Sequence, residues 1–436
     1  MNVNQINEAL LAGRIDETGI FPHLDSLKLN PFVFAMDFGF PRLHSETGII
    51  LIRGARQYGK STWLEQHLRQ CIVDFGAGSA LYLNGDELRT ATELVQQVRT
   101  AISLFNPKSS VKRIYIDEIT AVSDWQKGLK RLADAGESRD ILIITTGSKA
   151  TDLRRGTERL PGRKGRLART TYYFTPLSYS SFRKETGELL GNNTVPAYIL
   201  SGGCPLAAAE IARNGIIPEF VTEMIRDWIY GDCSASGRDR ASLLGVMEVL
   251  IRYGGSPTGQ AKVAREAGLA NNTVAAGFLE LLMDNLCLAT AFAWDAERRV
   301  ALRRKPAKFH FINLLAAVAW HPDHPSSVDE YRALPAADHG KLHEWTVAQE
   351  LWRRAARAGA EVPEQMLFWQ SKEHEIDFIA DGTHLIEVKY GKVSPIEFSW
   401  FPRVFPAHRL TVINTERFET AFCRGVTLED FLLEAS

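Results

Sequence analysis

Between about residues 48 and 175, short apolar runs alternate with longer stretches of helical period. The runs are Ile49–Ile52, Ala80–Leu83, Ile114–Ile116, Ile141–Thr145 and Tyr172–Phe174. Runs so short and so continuously apolar suit strands buried on both faces of a parallel sheet. The stretches between them, such as TWLEQHLRQCIVDF, repeat apolar positions at helical spacing. This alternation predicts a doubly wound α/β domain with its ligand at the carboxyl ends of the strands. After Pro176 the pattern turns mostly helical, to about residue 330. The segment HPDHPSSVDEYRALPAADHG, rich in proline and polar residues, reads as a linker. Beyond it, a helix in LHEWTVAQELWRRAARAG and short strands in MLFWQ, EIDFIA, HLIEVKY and RLTVINT predict a second α/β unit.

A chain of 436 residues is too long for one ordinary core, so several domains are expected. A formal net charge of -1 removes any global drive toward nucleic acid or acidic membranes, and leaves such affinity to local patches. The five cysteines lie far apart with no CxxC pair, against a disulfide framework or a cysteine-built zinc site. The start, MNVNQINEALLAGRIDE, lacks the basic and apolar regions of a secretory signal, and no run approaches membrane-spanning length. A cytoplasmic location, with no membrane partner, is the expectation.

One segment carries specific chemistry. GARQYGKS follows the strand IILI, precedes a helical pattern and matches G-x-x-x-x-G-K-[ST]. Gly54 and Gly59 let the backbone curl so that its N–H groups face phosphate oxygens, and the helix start adds the positive end of its dipole. Lys60 is expected to reach the β- and γ-phosphates of ATP, and the Ser61 hydroxyl to hold Mg²⁺. The nucleotide-binding set runs through Gly54, Ala55, Arg56, Gln57, Tyr58, Gly59, Lys60, Ser61 and Thr62. A second apolar strand, in RIYIDEIT, ends in Asp117, suited to the Mg²⁺ shell, and Glu118, suited to polarise the attacking water. The strand in ILIITTGS ends at Thr146, Gly147 and Ser148, where Thr146 or Ser148 is placed to sense the γ-phosphate. The arginine-dense stretch DLRRGTERLPGRKGRLART then offers Arg163 as a residue acting on a neighbouring subunit's nucleotide. A solvated basic loop or a DNA-backbone contact would use the same arginines.

The segments IRGARQYGKST, IYIDEI, ITTGS, LPGRKGRL followed by TPLSYSSF, and SGGCP together resemble the prokaryotic AAA+-like (ASCE) P-loop ATPases with a C-terminal nuclease-like domain. The resemblance runs from about residue 30 over nearly the whole chain. It implies an ATPase core (30–180), a middle winged helix (241–320) and a restriction-endonuclease-like α/β domain (335–436), which leaves an N-terminal extension (1–29) and a helical lid (181–240) in the expected division of the chain.

Within the middle region, SPTGQAKVAREAGLANNTVAAGFLELLMDNLCLA reads as helix, turn, helix, with Asn271 or Asn272 capping the second. The following ERRVALRRKPAKFHF resembles a basic β-wing carrying Arg298, Arg299, Arg303, Arg304, Lys305 and Lys308. DNA contact is one reading and a protein-packing module the other. The aspartate that the resemblance implies after the wing is Asn313 here.

In EIDFIADGTHLIEVKY, Asp377 sits on one strand and Glu387-x-Lys389 on the next. Alternate strand residues share a face, so Glu387 and Lys389 project together. Asp377 and Glu387, with Glu344 from the preceding helix, could hold Mg²⁺ or Mn²⁺ while Lys389 activates water for phosphodiester hydrolysis. The pattern resembles the PD-(D/E)XK nuclease core. The expected protein is an ATP hydrolase coupling turnover to binding, remodelling or cleavage of DNA, branched forms included, and a homo-oligomer if an arginine acts in trans. The rival expectation is a nucleotide-switched binding protein whose nuclease-like domain is inactive and acts through a protein partner.

Overall fold

The computed structural model describes residues 1–148, 167–380 and 382–434. The chain divides into two compact units, Met1–Thr175 and Pro176–Ser436.

The first unit is built on a five-stranded parallel sheet of β1 (Gly48–Gly54), β2 (Ala80–Asn84), β3 (Arg113–Asp117), β4 (Leu142–Gly147) and β5 (Thr171–Phe174), in the order β2-β3-β4-β1-β5. Each strand contains the apolar run that predicts it or starts one residue inside it, and several continue by a residue or more into the polar positions that carry chemistry. Burial explains the run composition: every residue of β1 and β4 is buried. Leu81, Leu94, Ile116, Trp125 and Ile143 belong to one core cluster on a face of this sheet. The order is also a topological switch, because β4 inserts between β1 and β3 and brings the ends of three strands side by side. The helix Val3–Leu11 covers the open side of edge strand β2. Its Asn7 side chain donates to the Tyr82 carbonyl at 2.9 Å and accepts from the Tyr82 N–H at 2.8 Å. One amide thus satisfies backbone groups that an edge strand would otherwise leave unpaired.

The second unit opens with helices. The TPLSYSSF and SGGCP segments meet there: the Leu177 N–H donates to the Gly203 carbonyl at 2.9 Å, and the Tyr198 hydroxyl to the Leu177 carbonyl at 2.8 Å. Helices Arg240–Arg252, Gln260–Glu266 and Asn272–Asp284 follow, the last capped by Asn271, whose side chain accepts from the Val274 N–H at 3.0 Å. Strands β6 (Leu288–Asp295), β7 (Val300–Ala301) and β8 (Lys308–Phe311) form antiparallel pairs around β6.

Two features depart from expectation. Residues 321–340 are no linker: His321 is buried, Ser327 and Glu330 form a capping box on the helix Val328–Ala333, and Pro335 starts the helix Ala336–Ala358. The polar and proline residues there are helix-start signals rather than spacers. The wing is also not an isolated hairpin. β9 (Gln365–Gln370) runs parallel to β6, and β10 (Glu375–Ile376) pairs with β9, so one sheet joins the middle and C-terminal segments. A last sheet, β11 (Phe378–Ala380), β12 (His384–Val388), β13 (Arg409–Ile413), β15 (Cys423–Val426) and β14 (Phe418–Glu419), has the order β11-β12-β13-β15-β14.

Candidate functional site

The GARQYGKS segment spans the turn from β1 to the helix Lys60–Phe75. Gly59 has φ of 91°, a conformation glycine adopts without penalty, and an added Cβ there would project into open space. Gln57 also has a positive φ, of 64°. Two left-handed residues so close together fold the backbone into a curl ahead of the helix start, the arrangement that presents N–H groups to an anion.

Lys60 is buried at 7% exposure, and its ammonium donates to two carbonyls of its own loop, Gly54 at 3.0 Å and Ala55 at 2.7 Å. These partners are neutral. Burial accordingly lowers the Lys60 pKa, an effect the nearby Glu118 and Asp117 charges only partly offset. A desolvated ammonium held by neutral carbonyls gains most from an arriving polyanion, so the loop suits the phosphates of a nucleotide.

Asp117 ends β3 and Glu118 follows with a left-handed φ of 46°. The Thr146 hydroxyl donates to Asp117 Oδ1 and accepts from the Glu118 N–H at 3.1 Å. Glu118 Oε1 accepts from the Ser148 N–H at 3.0 Å, from the Ser148 hydroxyl at 2.9 Å and from the Thr120 hydroxyl. Burial pushes the Glu118 carboxyl up, but Lys60, Thr120 and Ser148 outweigh it and hold the pKa below the ordinary value. Glu118 is thus kept ionised. Thr146, in β4, and Ser148, just after it, thus both bond the acidic pair. Ser61 and Asp117 supply the hydroxyl and carboxylate oxygens a hard cation such as Mg²⁺ accepts. Arg163 lies outside the described residues.

A second cluster lies in the other unit. Asp377 falls between β10 and β11, Glu387 is on β12, Lys389 follows it, and Glu344 is on the helix Ala336–Ala358. Glu387 and Asp377 are buried at 3% and 6% exposure. Lys389 Nζ meets Glu387 Oε1 at 2.6 Å, and Asp377 Oδ2 accepts from the Val388 N–H at 2.9 Å. The four expected residues do come together. Three further residues join them: Lys308 and His310 from β8, and Glu375 from β10.

Lys308 is the correction here. Grouped by sequence with the exposed wing, it is fully buried, while Arg298, Arg299, Arg303, Arg304 and Lys305 are exposed. Its ammonium contacts Asp377 Oδ1 at 2.8 Å, Glu344 Oε1 at 3.3 Å and Glu375 Oε1. The signal for this was present in KFHF, where Lys308 and His310 alternate with two phenylalanines, a pattern that puts both polar residues on one face. Likewise E-x-D places Glu375 beside Asp377.

Charge balance follows. Burial lowers the Lys308 pKa, but Asp377, Glu344 and Glu375 overcome it and hold the ammonium charged. Burial raises Asp377, and Lys308 more than reverses it, leaving it depressed. Burial and then Asp377 push Glu344 up to about 7, and the same two causes raise Glu387 well above the carboxylate range. Burial, then Lys308, lowers His310 to about 3, so the imidazole is neutral.

A divalent cation of the Mg²⁺ or Mn²⁺ kind needs several carboxylate lone pairs not already engaged. Among the described residues, Glu387 Oε2 is the one oxygen of this quartet that is buried without a partner. As the side chains stand, the Glu344 and Asp377 oxygens that such a metal would take face the Lys308 ammonium instead, which is a poor fit to a divalent cation.

Residues 46–183 match the family model for an AAA domain, and the five-stranded parallel sheet of the first unit fits a P-loop ATPase domain, a type that implies ATP and typically Mg²⁺. Among solved structures, the chain is similar to the Walker-type ATPase PABY2304 of Pyrococcus abyssi at 14% identity, covering 73% of this chain and 95% of that one, with a TM-score of 0.43. It is also similar to a point variant of RuvB from Thermotoga maritima at 12% identity, covering 56% and 81%, with a TM-score of 0.30. Neither score reaches 0.5, and no role is carried over from either protein. No curated protein matches the chain. No helix among the described residues is long and apolar enough to cross a membrane.

Proposed function

We propose that the protein hydrolyses ATP in its first unit and couples that turnover to holding DNA through its second. The observation that carries the reading is the pairing of a desolvated Lys60, bonded only to neutral loop carbonyls, with an ionised Glu118 positioned by Thr120 and Ser148. Lys60 and the loop from Gly54 to Thr62 would bind the phosphates. Ser61 and Asp117 would hold the Mg²⁺ that neutralises them. Glu118 would polarise the attacking water, after the incoming γ-phosphate draws Ser148 or Thr146 from the acids they now hold. The action is cytoplasmic, in keeping with five buried cysteines that form no disulfide.

The exposed basic residues Arg298, Arg299, Arg304 and Lys305, on the turn and strand ends between β6 and β8, support the DNA part. Arg303 is pinned beside them, donating to Gln365 Oε1 at 2.9 Å. Local positive charge of this kind recognises phosphate backbones without sequence preference. The test is ATP turnover by the full chain alone and with single-stranded, duplex and branched DNA, the same reactions being run on a gel. Stimulation by one DNA form is expected; an unchanged rate with every form removes DNA from the proposal.

A second reading is favoured by the engaged oxygens around Lys308: a nucleotide-switched binding protein whose nuclease-like region grips and does not cut. Plasmid left intact in Mn²⁺ by a protein that still turns over ATP supports it, whereas cleavage lost in Asp377→Ala would return Asp377, Glu387 and Lys389 to a catalytic assignment.

A further inference from the structure

The buried ammonium of Lys308 occupies the position toward which the acidic side chains of the second unit converge. An alkylammonium has three N–H donors, and Lys308 meets three carboxylates: Asp377, Glu344 and Glu375. Its capacity is therefore matched. Other groups pack around the cluster. The Phe368 ring lies 5.5 Å from the ammonium. A Cβ on Gly255 would come within 2.5 Å of Glu344 Oε2, so backbone lies against the other oxygen of that carboxylate. The second oxygen of Asp377 is taken by the Val388 N–H, and Glu387 shares its first with Lys389.

We propose that Lys308 is the resident cation of this cluster and excludes a divalent metal from it. The argument is one of place and charge. A metal bound by Glu344 and Asp377 would have to share their oxygens with a full positive charge that is itself buried, Lys308 being 0% exposed. Like charges at contact distance in a poorly screened interior repel strongly. The ammonium instead supplies one positive charge and three hydrogen bonds to these carboxylates, in a fixed geometry and at any metal concentration. The lysine comes from β8, the strand that ends the basic wing, while the carboxylates come from the long helix and the C-terminal strands. The same contacts therefore tie the wing to the C-terminal segment. The inference deepens the reading of the second unit as a non-cutting grip, and its test involves no DNA.

The full chain, without nucleotide, is titrated with Mn²⁺ and followed by electron paramagnetic resonance and thermal unfolding. The unmodified protein should show no Mn²⁺ site that Asp377→Asn removes, and no shift in unfolding temperature. Lys308→Met, which keeps the stem and deletes the charge, should gain a Mn²⁺ site at least about tenfold tighter than any in this region of the unmodified protein, and should be stabilised by the metal. Lys308→Met/Asp377→Asn should lose that site again. A tight Mn²⁺ site in the unmodified protein that Asp377→Asn abolishes would overturn the proposal, as would Lys308→Met gaining nothing. Should Lys308→Met fail to fold, acetylation of the unmodified protein decides. Lys308 should stay unreactive with and without Mn²⁺ while the exposed Lys305 reacts. Metal-dependent labelling of Lys308 would mean that the ion displaces it, and the proposal would be wrong.

Discussion

Each unit of this protein buries a lysine close to acidic side chains, and the two lysines are held in opposite ways. Lys60 donates to the Gly54 and Ala55 carbonyls, and its charge is left without an ionic partner in direct contact. Lys308 is surrounded by Asp377, Glu344 and Glu375, and its charge is spent inside the protein. Burial pulls both pKa values down; only at Lys308 do the carboxylates reverse it. An uncompensated buried charge is costly, and it is tolerated where a ligand will later compensate it. A compensated one belongs to the fold. The same residue type in the same kind of setting is thus held as a binding group would be in one unit and as a structural ion would be in the other, and the partner atoms make the difference.

The largest test of this contrast is Lys60→Ala. ATP turnover should fall below detection while the circular dichroism spectrum stays unchanged, because the lost hydrogen bonds lead only to loop carbonyls. Retained turnover would mean that Lys60 is not the phosphate ligand. Glu118→Gln comes next. It should still bind ATP but turn over about 10²–10⁴-fold more slowly, the usual contribution of a positioned general base; normal turnover would assign the water to another group. Lys308→Ala should do the reverse of Lys60→Ala. It leaves buried carboxylates uncompensated, a loss of about 3–5 kcal/mol, so the second unit should become protease-sensitive. A protein of unchanged protease resistance would show that Lys308 carries no structural load.

The contrast also marks what can be read from sequence. The phosphate loop is legible because it is local: its chemistry needs Gly54, Gly59, Lys60 and Ser61 within eight consecutive positions. The five strands of the first sheet are legible for a related reason, since burial on both faces forces an apolar run. Glu387 and Lys389 are legible from their alternate spacing, with Asp377 on the strand before and Glu344 on the preceding helix, and the four do meet. Lys308 was not found as their partner, because it is paired with residues 36 and 69 positions away and stands in a run of arginines and lysines that looks exposed. No periodicity reports such a contact. The segment at 321–340 misled for another reason: proline and serine mark helix starts and loops alike, and only the capping box of Ser327 with Glu330 separates the two.

A smaller effect is expected at the wing. Arg298→Ala/Arg299→Ala should weaken binding to duplex DNA by about tenfold at low salt, and should flatten the salt dependence by roughly two phosphate contacts. ATP turnover without DNA should not change. Unaltered DNA affinity would shift the basic segment between β6 and β8 to a protein-facing role.

The smallest effect concerns His67, on the helix that Lys60 begins. Its ring stacks on Trp63 with centroids 5.0 Å apart, and Nδ1 lies 2.9 Å from the Tyr115 hydroxyl. Burial, with a smaller push from Arg113, lowers its pKa to about 4. The unfolded chain, with its histidine near 6.5, therefore binds more protons than the folded one between those two values. The stabilisation is fully present above about pH 6.5 and declines as the pH falls toward 4, by at most about 1.4 kcal/mol per pH unit. His67→Gln keeps a polar partner for Tyr115 and cannot titrate. Urea unfolding of the first unit, followed at pH 7, 6 and 5, should show the unmodified protein losing stability faster than His67→Gln. Parallel losses would place the acid sensitivity elsewhere. Divergence would mean that this helix, like its first residue, holds its buried base by neutral contacts alone, so that in the first unit burial itself sets which side chains stay ready to accept charge.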